Sequence, residues 1–223
     1  MLRDRPLSEF LHYLASHEQT EQSLPALTAL SAELGVSVAS LREQLEVARA
    51  LGLVEVKPRT GIRRQPYNFL PAVRQSLQYA LALDKNSFIA YADLRRHVET
   101  AYWHEAVRLL TPEDHAALKS LAARAWEKLR GNPIEIPHAE HRELHLAIYC
   151  RLDNPFVFGI LQAYWDAYET VGLNVFTDYD YLTEVWTYHQ KMVDSICNGK
   201  FDAGYKALTE HSDLINQLIS STK

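Results

Sequence analysis

The chain has 223 residues, 47% of them hydrophobic and 23% charged, with a formal net charge of −5. These values exclude wholesale disorder and suit one large or two modest globular domains with a substantial core. They also argue against indiscriminate polyanion binding; no apolar run approaches the roughly 18–20 residues of a membrane span, and two cysteines without a C-x-x-C imply no disulfide framework. The N-terminal stretch MLRDRPLSEF lacks the apolar core of a secretory signal, so a cytoplasmic protein without a membrane partner is expected.

Taken in order, PLSEFLHYLASH reads as a short first helix. LPALTALSAELG gives a second, with Leu27, Leu30 and Leu34 on one face and Gly35 as its stop. Ser37 sits where an N-cap belongs, and Leu41, Leu45, Ala48 and Leu51 form the apolar stripe of a third helix that ends at Gly52. LVEV and IRR then read as two short strands around the turn KPRTG. Three helices and a small hairpin, with a tight turn between the second and third helices, predict a winged helix-turn-helix over 1–66.

QPYNFLP interrupts any helix and predicts a linker over 67–71. Beyond it, 72–223 reads as helices only: AVRQSLQYALALD, then 87–110, then a helix opened by Thr111, Pro112 and the following acids. The histidine-rich segment opens a fourth, expected to run to about 153. FVFGILQAYWDAYETVGL is a fifth, and the last two are separated by a glycine stop and an Asp202 cap. The fold class is therefore mainly α, a winged helix followed by an all-α antiparallel bundle.

Charge divides along the same line. Residues 1–70 carry eight basic and eight acidic side chains, and the acid excess lies wholly in the remainder. Between Val56 and Gln75 there are five basic residues and no acid, a local footprint for phosphate. A helix-turn-helix reads the major groove with the start of its second helix, so Ser37, Ser40 and Arg42 are candidate DNA contacts. In the wing the candidates are Lys57, Arg59 and Thr60, with Gly61 allowing the tight turn.

HAEHRELH, residues 138–145, places His138, His141 and His145 on one helical face. His145 has Leu144 and Ile148 beside it, His189 shares a face with Val193 and Ile196, and His211 shares one with Ala207, Leu208 and Ile215. Imidazoles on three helices aimed at one interior match the way bundles build metal sites, and such donors suit Zn, Ni, Cu or Fe(II). A hydrogen-bonded core histidine is the plain alternative at each position. His138, next to Pro137 at the helix start, is expected to face solvent.

The stretch LPALTALSAELGVSVASLREQLEVARALGLVEVKPRTG resembles the DNA-binding module of the GntR family of bacterial transcription regulators. DLRRHVE, TPEDHAAL, HRELHLAIYCRLDNP and YHQKMVDSICNGKFDAGYKALTEH, in that order, resemble the FCD ligand-sensing domain of its FadR-like subgroup. The resemblance spans about residues 24–215. It implies a metal held by His145, His189 and His211, with His141 standing where the family has an aspartate. Four imidazoles without that carboxylate favour Zn or Ni over Mg or Mn. The resemblance also implies that Arg95 pairs with a carboxylate effector, for which a guanidinium fork is suited; a salt bridge to Glu99 one turn on is the alternative. Two family arginines are absent, replaced by Thr28 and Val38, which predicts a weaker or differently specific operator contact.

The function so implied is a homodimeric repressor that binds a pseudo-palindromic operator and senses a small organic acid at a divalent metal ion, and is not an enzyme. Two alternatives stand beside it. A helical metallohydrolase would use the same histidines with Glu143 as the nearest acid, and a sensor could keep the fold with a degenerate DNA-binding end.

Overall fold

The structure is a computed structural model that describes residues 7–17, 23–58, 61–172 and 178–221. It divides into two compact units, Met1–Gln75 and Ser76–Lys223.

In the first unit α1 (Glu9–Ser16), α2 (Leu27–Leu34) and α3 (Val38–Ala50) precede a two-stranded antiparallel sheet of β1 (Val54–Lys57) and β2 (Gly61–Arg64). Val56 pairs with Ile62 and Val54 with Arg64. Gly35 ends α2 in the left-handed region at φ 66°, a conformation that costs glycine no Cβ clash. The Ser37 hydroxyl caps α3 by accepting from Ser40 N–H at 3.2 Å. Phe10, Leu30, Leu41, Leu45, Ala48, Val54 and Ile62 form one core, so the apolar stripes of all three helices and one face of the hairpin are spent on each other. This is the winged helix expected from the sequence.

α4 (Leu70–Leu83) begins inside the stretch expected to be a linker. Asn68 Oδ1 accepts the Leu70 N–H at 2.8 Å and starts the helix, and Pro71 occupies the first turn, where its missing N–H is not needed. Pro71 also packs on Gly52: a Cβ there would sit 2.5 Å from Pro71 Cγ, and the glycine has φ 72°.

The second unit continues through α5 (Ser87–Leu109), α6 (Pro112–Leu129), α7 (His138–Ile148), α8 (Pro155–Thr170), α9 (Tyr179–Cys197) and α10 (Phe201–Ser221). α9 packs on α6 and α10, α5 packs on α8 and α10, and α7 lies against α6 and α8. Trp103, Leu118, Leu144, Ile148, Trp186, Val193 and Leu208 belong to one continuous core. α6 starts with a full capping box: Thr111 Oγ1 accepts from Asp114 N–H at 3.3 Å, and Asp114 Oδ2 accepts from Thr111 N–H at 2.9 Å. Among the described residues no helix is long and apolar enough to cross a membrane.

Two boundaries differ from expectation. α7 stops at Ile148, short of 153, with Tyr149 as its cap. Asp202 is not a cap: α10 already includes Phe201, and the Asp202 carboxylate accepts from His104 Nε2 at 3.0 Å.

Candidate functional site

His141 and His145 lie one turn apart on α7, His189 lies on α9 and His211 on α10. The 3.6-residue period that buries Leu144 and Ile148 also turns the two α7 rings inward. All four are buried: His189 and His211 are wholly inaccessible, His145 is 1% and His141 8% exposed. One nitrogen from each lies within 4.8 Å of one from every other. His145 Nε2 and His189 Nε2 are 3.0 Å apart.

Buried polar atoms are ordinarily hydrogen-bonded, and each one left unpaired needs a physical reason. Among the described residues, His141 Nε2, His189 Nδ1 and both nitrogens of His211 have no hydrogen-bond partner. Burial first, and then neighbouring positive charge, holds His141, His189 and His211 well below the usual imidazole range, so these rings are neutral. Neutral, converging, unpaired imidazole nitrogens are what a borderline divalent cation takes as ligands, so the residues present fit such an ion. Trp165 meets His141 edge-on at 4.7 Å between ring centroids, and Trp186 lies 4.8 Å from His189. These indoles close off the cluster from solvent.

Arg95 and Glu99, one turn apart on α5, are buried beside it and paired at 3.1 Å. Arg95 Nη2 lies 2.8 Å from His145 Nδ1, and the same His145 nitrogen lies 3.1 Å from Glu99 Oε1. The guanidinium carbon stands 4.2 Å over the Tyr164 ring and 5.2 Å from that of Trp165. Burial alone would raise the Glu99 carboxyl; Arg95 and His145 outweigh it and hold the group below its ordinary value. For His145, burial and Arg95 press the ring toward neutrality while Glu99 opposes them. The Arg95–Glu99 pair read from the sequence is present, and its link to His145 is an addition that the sequence did not suggest. The one available signal was the run Ala92, Arg95, Glu99, Trp103, whose helical spacing puts both charges on the apolar face.

His138 is not solvent-facing. It is half-buried, stacks on Tyr168 at 5.6 Å and donates from Nε2 to Glu169 at 3.0 Å. Glu143, the acid of the hydrolase alternative, points outward and accepts from Arg124 at 3.3 Å. Glu140 is buried but turned to α6, where Lys128 Nζ donates to it at 2.9 Å.

In the first unit, Arg42 is exposed on α3 and Ser40 is half-buried, its hydroxyl oxygen accepting from Gln44 Nε2 at 3.3 Å. Ser37 is exposed, with its oxygen engaged in the cap. Lys57 is exposed and pairs with Glu55 at 2.9 Å. Gly61, also exposed, has φ 75°, the left-handed conformation expected of the turn. Arg59 and Thr60 lie outside the described residues.

A winged helix followed by an all-helical body defines a known two-domain class. The chain is similar in fold to Streptococcus agalactiae GntR, with a TM-score of 0.69 at 16% identity over 93% of this chain and 95% of that one. It is also similar to E. coli McbR/YncC, with a TM-score of 0.51 at 17% identity over 97% of this chain and 99% of that one. A third similar structure is Lar, which controls the expression of the Listeria monocytogenes agr system, with a TM-score of 0.51 at 15% identity over 94% and 95% of the two chains. No curated protein sequence matches the chain. The FCD domain profile matches residues 91–214, more than half of the chain, and the protein belongs to the FCD-domain family. That span contains Arg95, Glu99 and all four clustered histidines.

Proposed function

We propose that the protein is a transcription regulator that binds operator DNA through its winged helix and senses a small organic acid in its helical body. His141, His145, His189 and His211 would hold one divalent cation, with Zn²⁺ or Ni²⁺ the best match to an all-imidazole set. Bound there, the cation supplies positive charge that attracts a carboxylate. Arg95 orients that carboxylate, Tyr164 and Trp165 keep the guanidinium in place, and the surrounding indoles exclude water. The observation that carries this reading is four buried imidazole side chains converging within 4.8 Å, three of which bear nitrogens without hydrogen-bond partners. The protein acts as a cytoplasmic homodimer on a pseudo-palindromic site, with repression as the sign. Effector and operator affinities are coupled by about 1–3 kcal/mol.

Likeness in fold supports the DNA-binding half: the similar structures include a GntR protein and Lar, which controls the expression of the Listeria monocytogenes agr system. Native mass spectrometry of the purified chain, together with salt-dependent binding to the DNA upstream of its own gene, tests the reading. The expected result is a dimer carrying one cation per chain that shifts this DNA at low salt. A metal-free monomer after incubation with Zn²⁺ and Ni²⁺ overturns the sensing half. Metal uptake with no DNA binding at low salt overturns the regulator half and leaves a sensor with a degenerate DNA-binding end.

A further inference from the structure

Three buried atoms form a tight triangle beside the histidine cluster. Arg95 Nη2 is 2.8 Å from His145 Nδ1, Glu99 Oε1 is 3.1 Å from His145 Nδ1, and Arg95 Nη2 is 3.1 Å from Glu99 Oε1. A guanidinium only donates and a carboxylate only accepts, whereas an imidazole nitrogen does one or the other according to its proton. His145 Nδ1 therefore satisfies Arg95 when bare and Glu99 when protonated, and it cannot satisfy both.

We infer that Glu99 is the positioning residue of the cluster, and that a cation bound by His145 releases Arg95 to take a carboxylate. The inference rests on the metal reading above. Without a cation, bare Nδ1 accepts from Arg95, the shorter contact, and the ring proton sits on Nε2, donating to His189 Nε2 at 3.0 Å. A cation requires the Nε2 lone pair. The N–H bond at Nε2 is then lost and one at Nδ1 is gained, so the ring stays neutral and no net proton is exchanged. Nδ1–H donates to Glu99, an arrangement in which a carboxylate fixes the tautomer of a ligand histidine. Arg95 Nη2 now faces a second donor at 2.8 Å and must withdraw.

The withdrawn group is half of a fork. Arg95 Nε is buried and, among the described residues, has no hydrogen-bond partner. Nε and Nη2 form the side edge of a guanidinium, which grips a carboxylate with two parallel bonds. The same edge of Arg151 holds Asp114 in this chain, at 2.8 Å from Nε and 3.0 Å from Nη2. Stacking on Tyr164 keeps the Arg95 plane in place while its edge is vacated. Tyr149 does not compete for the carboxylate, because its hydroxyl donates to the Glu99 backbone carbonyl at 2.9 Å. Cation binding thus frees Arg95 from His145 before any anion arrives, and an incoming carboxylate then replaces Glu99 Oε1 as the partner of Nη2.

Long-range ¹H–¹⁵N spectra of the histidine-labelled full chain read the tautomer directly, with His145 assigned by difference from His145→Gln. The expected result is an Nε2–H ring in chelator-stripped protein and an Nδ1–H ring after Zn²⁺ is added. Co²⁺ affinity, followed by visible absorption, gives an independent readout: Glu99→Gln should weaken it by about 10–100-fold, and Arg95→Met should tighten it by removing the competitor for Nδ1. A merely structural ion pair would lower affinity in both variants alike. Equal losses overturn the inference, as does an Nδ1–H ring already present in stripped protein. Co²⁺ uptake with an unshifted His145 ring defeats this inference alone, whereas wild-type protein that takes up neither metal defeats the metal reading with it. Should a variant fail to fold, the wild-type spectra still decide.

Discussion

His145 and His189 meet nitrogen to nitrogen, their Nε2 atoms 3.0 Å apart in a region closed to solvent. Only one proton fits between them, and the surrounding burial resists a second. His141, His189 and His211 are held well below the ordinary value of 6.5, by burial first. A histidine whose folded pKa is depressed costs no stability through its titration above its unfolded value, and stability is lost as pH falls from about 6.5 toward the folded pKa, because the unfolded chain binds protons first. Chelator-treated protein should therefore show a Tm that falls as pH is lowered from about 7.5 to about 5.5. Substituting any one of these three rings with leucine should flatten the slope. A Tm insensitive to pH across that window counts against neutral buried rings.

His211 offers a sharper test, since both of its nitrogens lack partners. An unsatisfied buried polar group costs roughly 1–3 kcal/mol. His211→Leu should therefore raise the Tm of the metal-free protein while abolishing the Tm increase produced by Zn²⁺. For the wild type that increase corresponds to about 2.7 kcal/mol at a free metal concentration near 100 Kd. Differential scanning fluorimetry with Zn²⁺ and with chelator compares the two proteins. A leucine variant less stable than metal-free wild type would mean that the ring has a partner in solution.

Gly204 on α10 is a packing constraint rather than a flexible point. A Cβ there would lie 2.6 Å from Trp103 Cζ2 and 3.2 Å from Ser195 Cβ. Trp103 has little freedom to yield, because it is wholly buried and its Nε1 donates to the Phe201 carbonyl at 2.9 Å. Gly204→Ala should destabilise the fold by about 1–3 kcal/mol through overpacking. Urea denaturation checks this, with a lowered midpoint and an unchanged m-value as the expected result.

The proposed DNA binding should respond to single charges in the winged helix. Arg42 is exposed near the start of α3, and Val38 occupies the first position of that helix. Arg42→Ala should weaken DNA binding and, if the contact is to phosphate, lower the slope of log affinity against log salt by about one. Val38→Arg should raise the slope by a similar amount. Titrations at several salt concentrations measure both; identical slopes for all three proteins would remove α3 from the interface.

Much of the architecture was legible in the sequence because it depends on local periodicity. The leucine stripes of α2 and α3 and the acids after Thr111 each declare their helices within a dozen residues. His145, His189 and His211 were legible because each interrupts an otherwise apolar face, and that face has one place to go. Glu99 was legible as a partner of Arg95, four residues away, but not of His145, which lies 46 positions on. Such a contact depends on how α5 meets α7, and no periodicity encodes that meeting. The walls of the site were hidden for a related reason: Tyr164 and Trp165 look like any core aromatics in α8. His138 was misjudged because stacking on Tyr168 and pairing with Glu169 are both contributed by another helix.

Gln44 sits on α3 among the candidate DNA-reading residues, yet its side-chain oxygen accepts the Phe10 N–H of α1 at 2.9 Å. The proposed reading helix is thus also a fastening for its neighbour, which restricts how its surface can be rewritten. Under the proposed DNA-binding role, attempts to change the sequence read have Arg42 and its exposed neighbours at their disposal. Exchanging Gln44 would loosen the scaffold before it altered the text being read.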